Sequence, residues 1–267
     1  MLEHDEIRKQ IQDYHFQGMG AVSEYDVRFL CSLIDESRPK RFLEVGVASG
    51  MSSAFLLKAL SRVSKDCHLD SVDLGVQYYV DQSKKVGYLI DEIIPNPECT
   101  YEVHRGKWAG DIEQIAAGKK YDMVFIDANH MHPWPTIDTI LTLPLISPNT
   151  WVAHHDIALK DMEGYAHGIG PFNIYEAFPN PKKASDCKYK NIGAFQIVKP
   201  YQEYEGALAE AMDKPWTVNN PIYPRFSDQI NAFVEKHYSA DFAKVVRQNM
   251  DANNEIKLKD VAEKKSA

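Results

Sequence analysis

Residues 42–53 read FLEVGVASGMSS: a short apolar run that breaks into a glycine-bearing bend and then into small residues. RFLEVGV has the apolar content of a buried strand, and SSAFLLKALSRVS after the bend reads as a helix. Glycine in such a bend lets backbone approach a ligand closely or take positive φ, and the helix that follows offers unpaired N–H groups to an anion. The stretch is therefore a cofactor cradle, a ligand-free tight turn, or a nucleotide loop of another kind. A dinucleotide fingerprint, Gly-x-Gly-x-x-Gly, meets Gly46, Ala48 and Met51 here, with Gly50 one place early. That mismatch weighs against a nicotinamide cofactor.

The pattern continues on both sides. Ser23 and Asp26 form a capping-box signature ahead of Val27, Leu30, Cys31 and Ile34, with Pro39 closing that helix. Downstream, CHLDSVDL, TYEVHRG, YDMVFIDA and TWVAHHD read as strands, separated by the helical stretches QSKKVGYLIDEII, DIEQIAAG and PTIDTILTLPLI. This alternation predicts an α/β fold, a doubly wound and mostly parallel sheet with crossover helices on both faces. Glycines and prolines weaken the pattern over 157–191, and NIGAFQIV restores a strand, expected antiparallel near the sheet edge. We expect one domain over 1–200 and a helical extension over 201–267, packed on that domain or at an oligomer interface, with a frayed or solvated Lys/Glu-rich end.

The chain has 267 residues and a net charge of −8, which argues against a nucleic-acid partner. No run is long and apolar enough for a membrane span, and the polar start MLEHDEIRKQ is unlike a signal peptide, so the expected location is cytoplasmic. Cys31, Cys67, Cys99 and Cys187 form no CxxC pair and are expected as reduced, mostly buried thiols.

In a doubly wound sheet, ligands bind beyond the carboxyl ends of the strands, where the bend at 46–50 lies. Asp73 ends the second strand, where a carboxylate can accept both hydroxyls of a ribose. LEVGVASGMSS, VDL, VFIDANH and WVAHHDI in this order resemble class I S-adenosylmethionine-dependent methyltransferases, the last two most like the small-molecule O-methyltransferase branch. The resemblance spans roughly residues 20–200. It implies that Gly46, Ala48 and Gly50 underlie the methionine part of the cofactor, that Glu44 supports its ammonium, and that Ser52 bonds its carboxylate. By the same resemblance Asp73 holds the ribose, Leu74 flanks the adenine, and Asp127 closes the cofactor site. Trp108, in HRGKWAGDI, either stacks on the base or packs in the core.

Asp127 is followed by Asn129, His130 and His132, and the fifth strand ends in His154, His155 and Asp156. In catechol-type relatives a carboxylate set at these places binds magnesium and aligns a substrate hydroxyl. His155 departs from that set, and imidazole suits zinc, iron, manganese or nickel better. Asp127, His155 and Asp156 are thus candidate ligands of a divalent metal of open identity. The expected reaction is methyl transfer from S-adenosylmethionine to a hydroxyl of a small-molecule acceptor, a sugar, polyketide or phenol. His130 is the expected base, with Asp127 and His155 beside it. The segment 161–190 is expected to act as a lid with an aromatic wall. Two alternatives stand: a metal-dependent enzyme like the cephalosporin hydroxylases, and a non-catalytic S-adenosylmethionine-binding protein. A homodimer through residues 201–267 is the further expected partner.

Overall fold

The computed structural model describes residues 9, 11, 22–188 and 190–266, with side chains of the last helix described through 258. Helix α1 (Glu24–Ser37) starts from the Ser23–Asp26 capping box and ends on Arg38 in the left-handed region. Strands β1 (Arg41–Val45), β2 (His68–Asp73), β3 (Thr100–Arg105), β4 (Tyr121–Ile126) and β5 (Ile146–His154) follow in turn. Between them lie α2 (Met51–Val63), α3 (Leu89–Ile93), α4 (Ile112–Ala116) and α5 (Trp134–Thr142). Then come α6 (Gly170–Ala177), β6 (Lys182–Ala184), β7 (Gly193–Ile197), α7 (Glu205–Met212), α8 (Pro224–His237) and α9 (Ala240–Ser266).

The strands form one sheet in the order β3-β2-β1-β4-β5-β7-β6. β1 to β5 pair in parallel, whereas β7 runs antiparallel to β5 and β6 antiparallel to β7. The doubly wound expectation is met, with the antiparallel strand one place in from the edge. Strand alternation assigns side chains to two apolar layers. Phe42, Met123, Phe125, Trp151 and Ala153 pack under α1 and α2. Leu43, Val45, Val124, Ile126 and Val152 pack under α5 and share their cluster with Leu208, Ile230 and Val246 of α7, α8 and α9.

Two expectations are corrected. QSKKVGYLIDEII yields only the five-residue α3, because Gly87 turns left-handed (φ 76°) and the N–H groups of Gly87 and Leu89 donate to Ala48 and Ser49, docking the segment on the 46–50 bend. Cys67 and Cys99 are not free thiols. They precede strands whose register pairs His68 with Thr100, so they face each other and form a disulfide with Cα atoms 5.0 Å apart. The 161–190 segment contains α6 and β6, and its Phe178 stacks on Phe195 in the core at 3.9 Å, so this part packs on the sheet. The Lys/Glu-rich end continues α9 through Ser266, with Ile256 and Leu258 exposed to solvent.

Candidate active site

The bend after β1 is shaped by its neighbours as much as by any ligand. A Cβ on Gly46 (φ 95°) would come within 2.1 Å of the Asp127 carbonyl oxygen, so this position has no room for a side chain. Ala48 also has positive φ, and Gly50 caps α2 with no side chain to serve its first turn. The Asp73 carboxylate holds the bend from the side. Its Oδ2 accepts from the N–H groups of Val47 and Ala48, each at 3.0 Å, and its Oδ1 from Gly75 at 2.7 Å. A carboxylate has about four lone-pair sites, so acceptor capacity remains for a ribose hydroxyl. In the segment after β2, Leu74, Val76, Tyr79 and Val80 are 54%, 53%, 54% and 50% exposed, a run of large apolar side chains left open to solvent.

Glu44 does not face solvent. It shares the strand parity of Phe42 and is fully buried under α2, where Ser52 donates to Oε1 at 2.6 Å and Ser71 to Oε2 at 2.7 Å, with Ser53 also on Oε2. Burial pushes its carboxyl up to about 7 against the pull of these hydroxyls. Glu44 and Ser52 are thus mutually engaged beneath the bend. Trp108 takes the packing alternative. Its ring meets Phe226 edge-on at 4.8 Å and Trp134 at 6.2 Å, and Nε1 donates to Gln229.

At the ends of β4 and β5, Asp127, His130, His155 and Asp156 each offer one ligand atom within 4.8 Å of the others. His130 Nε2 lies 3.2 Å from both Asp127 Oδ1 and Asp156 Oδ2. His155 Nδ1 lies 3.2 Å from Asp127 Oδ1 and 3.4 Å from Asp156 Oδ1. Burial alone would favour neutral groups, but the charges alternate. His155 and His130 hold Asp127 well below the usual carboxylate range. In return the carboxylates raise His130, and raise His155 well above the ordinary imidazole value. The other two histidines stay out: His132 and His154 are buried and pushed by burial down to about 4 and about 3.

Three neighbours escaped the sequence reading. Asp26 of α1 places Oδ2 3.1 Å from His155 Nε2, although sequence shows it only as a cap. Asn191 donates to Asp156 Oδ1 at 2.8 Å from the loop before β7. Tyr79, 54% exposed after β2, has its phenol raised by burial first and then by Tyr78, Asp127 and Asp73.

A seven-stranded sheet in this order, with its glycine bend after β1 and an acid ending β2, is the class I S-adenosylmethionine-dependent methyltransferase fold. Residues 43–157 match the family described as a methyltransferase domain. Solved structures of similar fold include an O-methyltransferase from Bacillus cereus in complex with SAH, at 18% identity and a TM-score of 0.53, covering 73% of this chain and 90% of that one. Another is TomG from Streptomyces achromogenes, an O-methyltransferase involved in tomaymycin synthesis and solved with SAM. It is 21% identical with a TM-score of 0.50, covering 72% of this chain and 88% of the other. No curated protein sequence matches the chain.

Proposed function

We propose that this protein transfers the methyl group of S-adenosylmethionine to a hydroxyl of a small-molecule acceptor. The observation that carries the reading is the placement of the Asp127–His130–His155–Asp156 cluster at the strand ends beside the Asp73-braced bend. The sulfonium supplies an electrophilic methyl. Asp73, the 46–50 bend and the exposed run of Leu74, Val76, Tyr79 and Val80 fit the nucleoside part, combining a carboxylate for ribose with apolar surface for a base. The acceptor oxygen attacks in line as His130 takes its proton, so the methyl–oxygen bond forms while the methyl–sulfur bond breaks. His130 does this in its neutral form, which Asp127 and Asp156 disfavour by raising its pKa.

The same four residues fit a divalent cation. Each offers one imidazole or carboxylate ligand atom within 4.8 Å of the others, a donor set able to close around an ion with bonds of about 2.1 Å. Nitrogen donors favour zinc, iron or manganese over magnesium. A bound cation would polarise the acceptor hydroxyl.

Among the described residues no helix is long and apolar enough to cross a membrane. Cytoplasmic residence and the absence of a nucleic-acid partner are part of the proposal, the second supported by the charge of −8. So is a homodimer through the C-terminal helices, which present Ile256 and Leu258 to solvent.

Isothermal titration with S-adenosylmethionine, S-adenosylhomocysteine and NAD tests the cofactor assignment, with binding expected for the two sulfur compounds. Tight NAD binding and silence toward both would overturn it. Turnover of S-adenosylmethionine with hydroxyl acceptors, with and without chelator, tests transfer and the cation separately.

A further inference from the structure

His155 stands at the centre of the polar cluster, with its side chain only 7% exposed and polar neighbours from four parts of the fold. Its Nδ1 faces Asp127 and Asp156; its Nε2 faces Asp26 Oδ2 at 3.1 Å. Asn191 Nδ2 lies 3.4 Å from the same Nε2, but an amide nitrogen is a donor only, so it cannot accept a proton from the ring. Asp26 is left as the acceptor for an Nε2–H.

Asp26 is at the third position of α1, where its Oδ2 also takes the backbone N–H and hydroxyl of Ser23 at 2.9 and 2.6 Å. The acid of a capping box reaches back to its own helix end and has no need of burial. This one is 1% exposed and points at a histidine 129 residues away. Burying a carboxylate costs free energy unless each partner is well placed, so a capping role alone does not account for its position.

We propose that Asp26 is a positioning residue of the active site: it holds the Nε2–H of His155 so that Nδ1 is the atom presented to Asp127 and Asp156. A histidine that binds a cation or proton through one nitrogen is commonly oriented by a carboxylate on the other, and loss of such a partner costs 10- to 100-fold in affinity or activity. Asp26 precedes residues 43–157, so the site draws on a helix outside the matched methyltransferase domain. The kinetic consequence rests on the methyl-transfer reading; the ring geometry does not.

Nitrogen-15 correlation spectra of the histidine side chains test the geometry directly, with His155 assigned by its loss in His155→Gln. In the wild-type protein His155 should carry a hydrogen-bonded, slowly exchanging Nε2 proton. Asp26→Ala should abolish that signal and lower kcat by 10- to 100-fold, with KM for S-adenosylmethionine changed less than about 3-fold. Asp26→Asn retains an acceptor and should recover kcat to within about 10-fold of wild type. Ser23→Ala removes the cap hydroxyl and its bond to Asp26 Oδ2 but keeps the carboxylate and the Ser23 N–H that holds it, so the His155 signal should persist and kcat should fall less than about 3-fold. A wild-type His155 protonated only at Nδ1, or an Asp26→Ala protein with an unchanged His155 signal, would overturn the proposal. So would a Ser23→Ala protein that loses kcat as Asp26→Ala does, because the effect would then belong to the helix cap. A protein without methyl-transfer activity fails the functional reading alone, and the spectra still decide the role of Asp26.

Discussion

Adjacent histidines in HHD meet opposite fates. His154 is the last residue of β5 and turns into the layer with Phe195, its Nε2 3.1 Å from Thr139 Oγ1, where burial keeps it neutral. His155, one residue on, turns among carboxylates that raise it well above the ordinary imidazole value. His130 stands opposite with 31% of its side chain exposed, the histidine an acceptor can reach. His130→Ala should lower turnover by about 10²–10⁴-fold and leave cofactor affinity nearly unchanged, read by steady-state kinetics and titration calorimetry. Because burial lowers its pKa but Asp127 and Asp156 raise it further, neutral His130 becomes available only above the ordinary histidine value of 6.5. The wild-type rate should therefore climb with pH beyond that point, and a flat profile from pH 6 to 9 would remove His130 as base. Asp73→Ala should weaken S-adenosylmethionine binding by about 1.5–3 kcal/mol, since it removes a charge-assisted acceptor and releases the bend. Calorimetry showing unchanged affinity would place the ribose elsewhere.

Helix α5 crosses from β4 to β5 with nearly all its residues buried, and Asp138 is among them. Burial raises its carboxyl from 3.8 to about 7. At low pH the group is protonated whether the chain is folded or not. As pH rises past the unfolded value, the unfolded chain ionises while the folded one does not, so stability falls until the folded value is passed. A shift of this size corresponds to at most about 4 kcal/mol. Asp138→Asn should thus raise the thermal midpoint at pH 8 and bring less gain at pH 5, and equal gains at both would refute a neutral buried acid. In the bend that opens α2, Gly46→Ala forces a Cβ against the Asp127 carbonyl and should destabilise the fold by about 1–3 kcal/mol in urea unfolding.

The sheet has one face under α1 and α2 and the other under α5 and the C-terminal helices. Residues 201–266 supply Leu208, Met212, Ile230 and Val246 to that second face, and His132 is fastened between its own loop and Thr217. A chain ending at residue 200 would bare this surface, and should lose cooperative unfolding and bind a hydrophobic dye. Cooperative melting of the truncated chain would show that the extension is dispensable to folding.

What the sequence by itself determined follows local rules. The Ser23–Asp26 cap, the strand and helix periods, the glycine bend and the identity of the strand-terminal acids are legible because each depends on residues a few positions apart. From these the parallel sheet follows, and with it the side of the sheet on which Asp73, Asp127 and Asp156 lie. Only tertiary structure decided which polar groups spend themselves on protein partners. Glu44 and Ser52 satisfy each other because β1 alternation drives the acid under α2. Trp108 serves the C-terminal helices because α8 brings Phe226 and Gln229 to it. Cys67 and Cys99 meet through a strand register that no local pattern states. Asp26 reaches His155 across 129 positions, a contact fixed by the docking of α1 on the sheet, since a buried carboxylate needs a partner and the packed fold holds that partner far away in sequence.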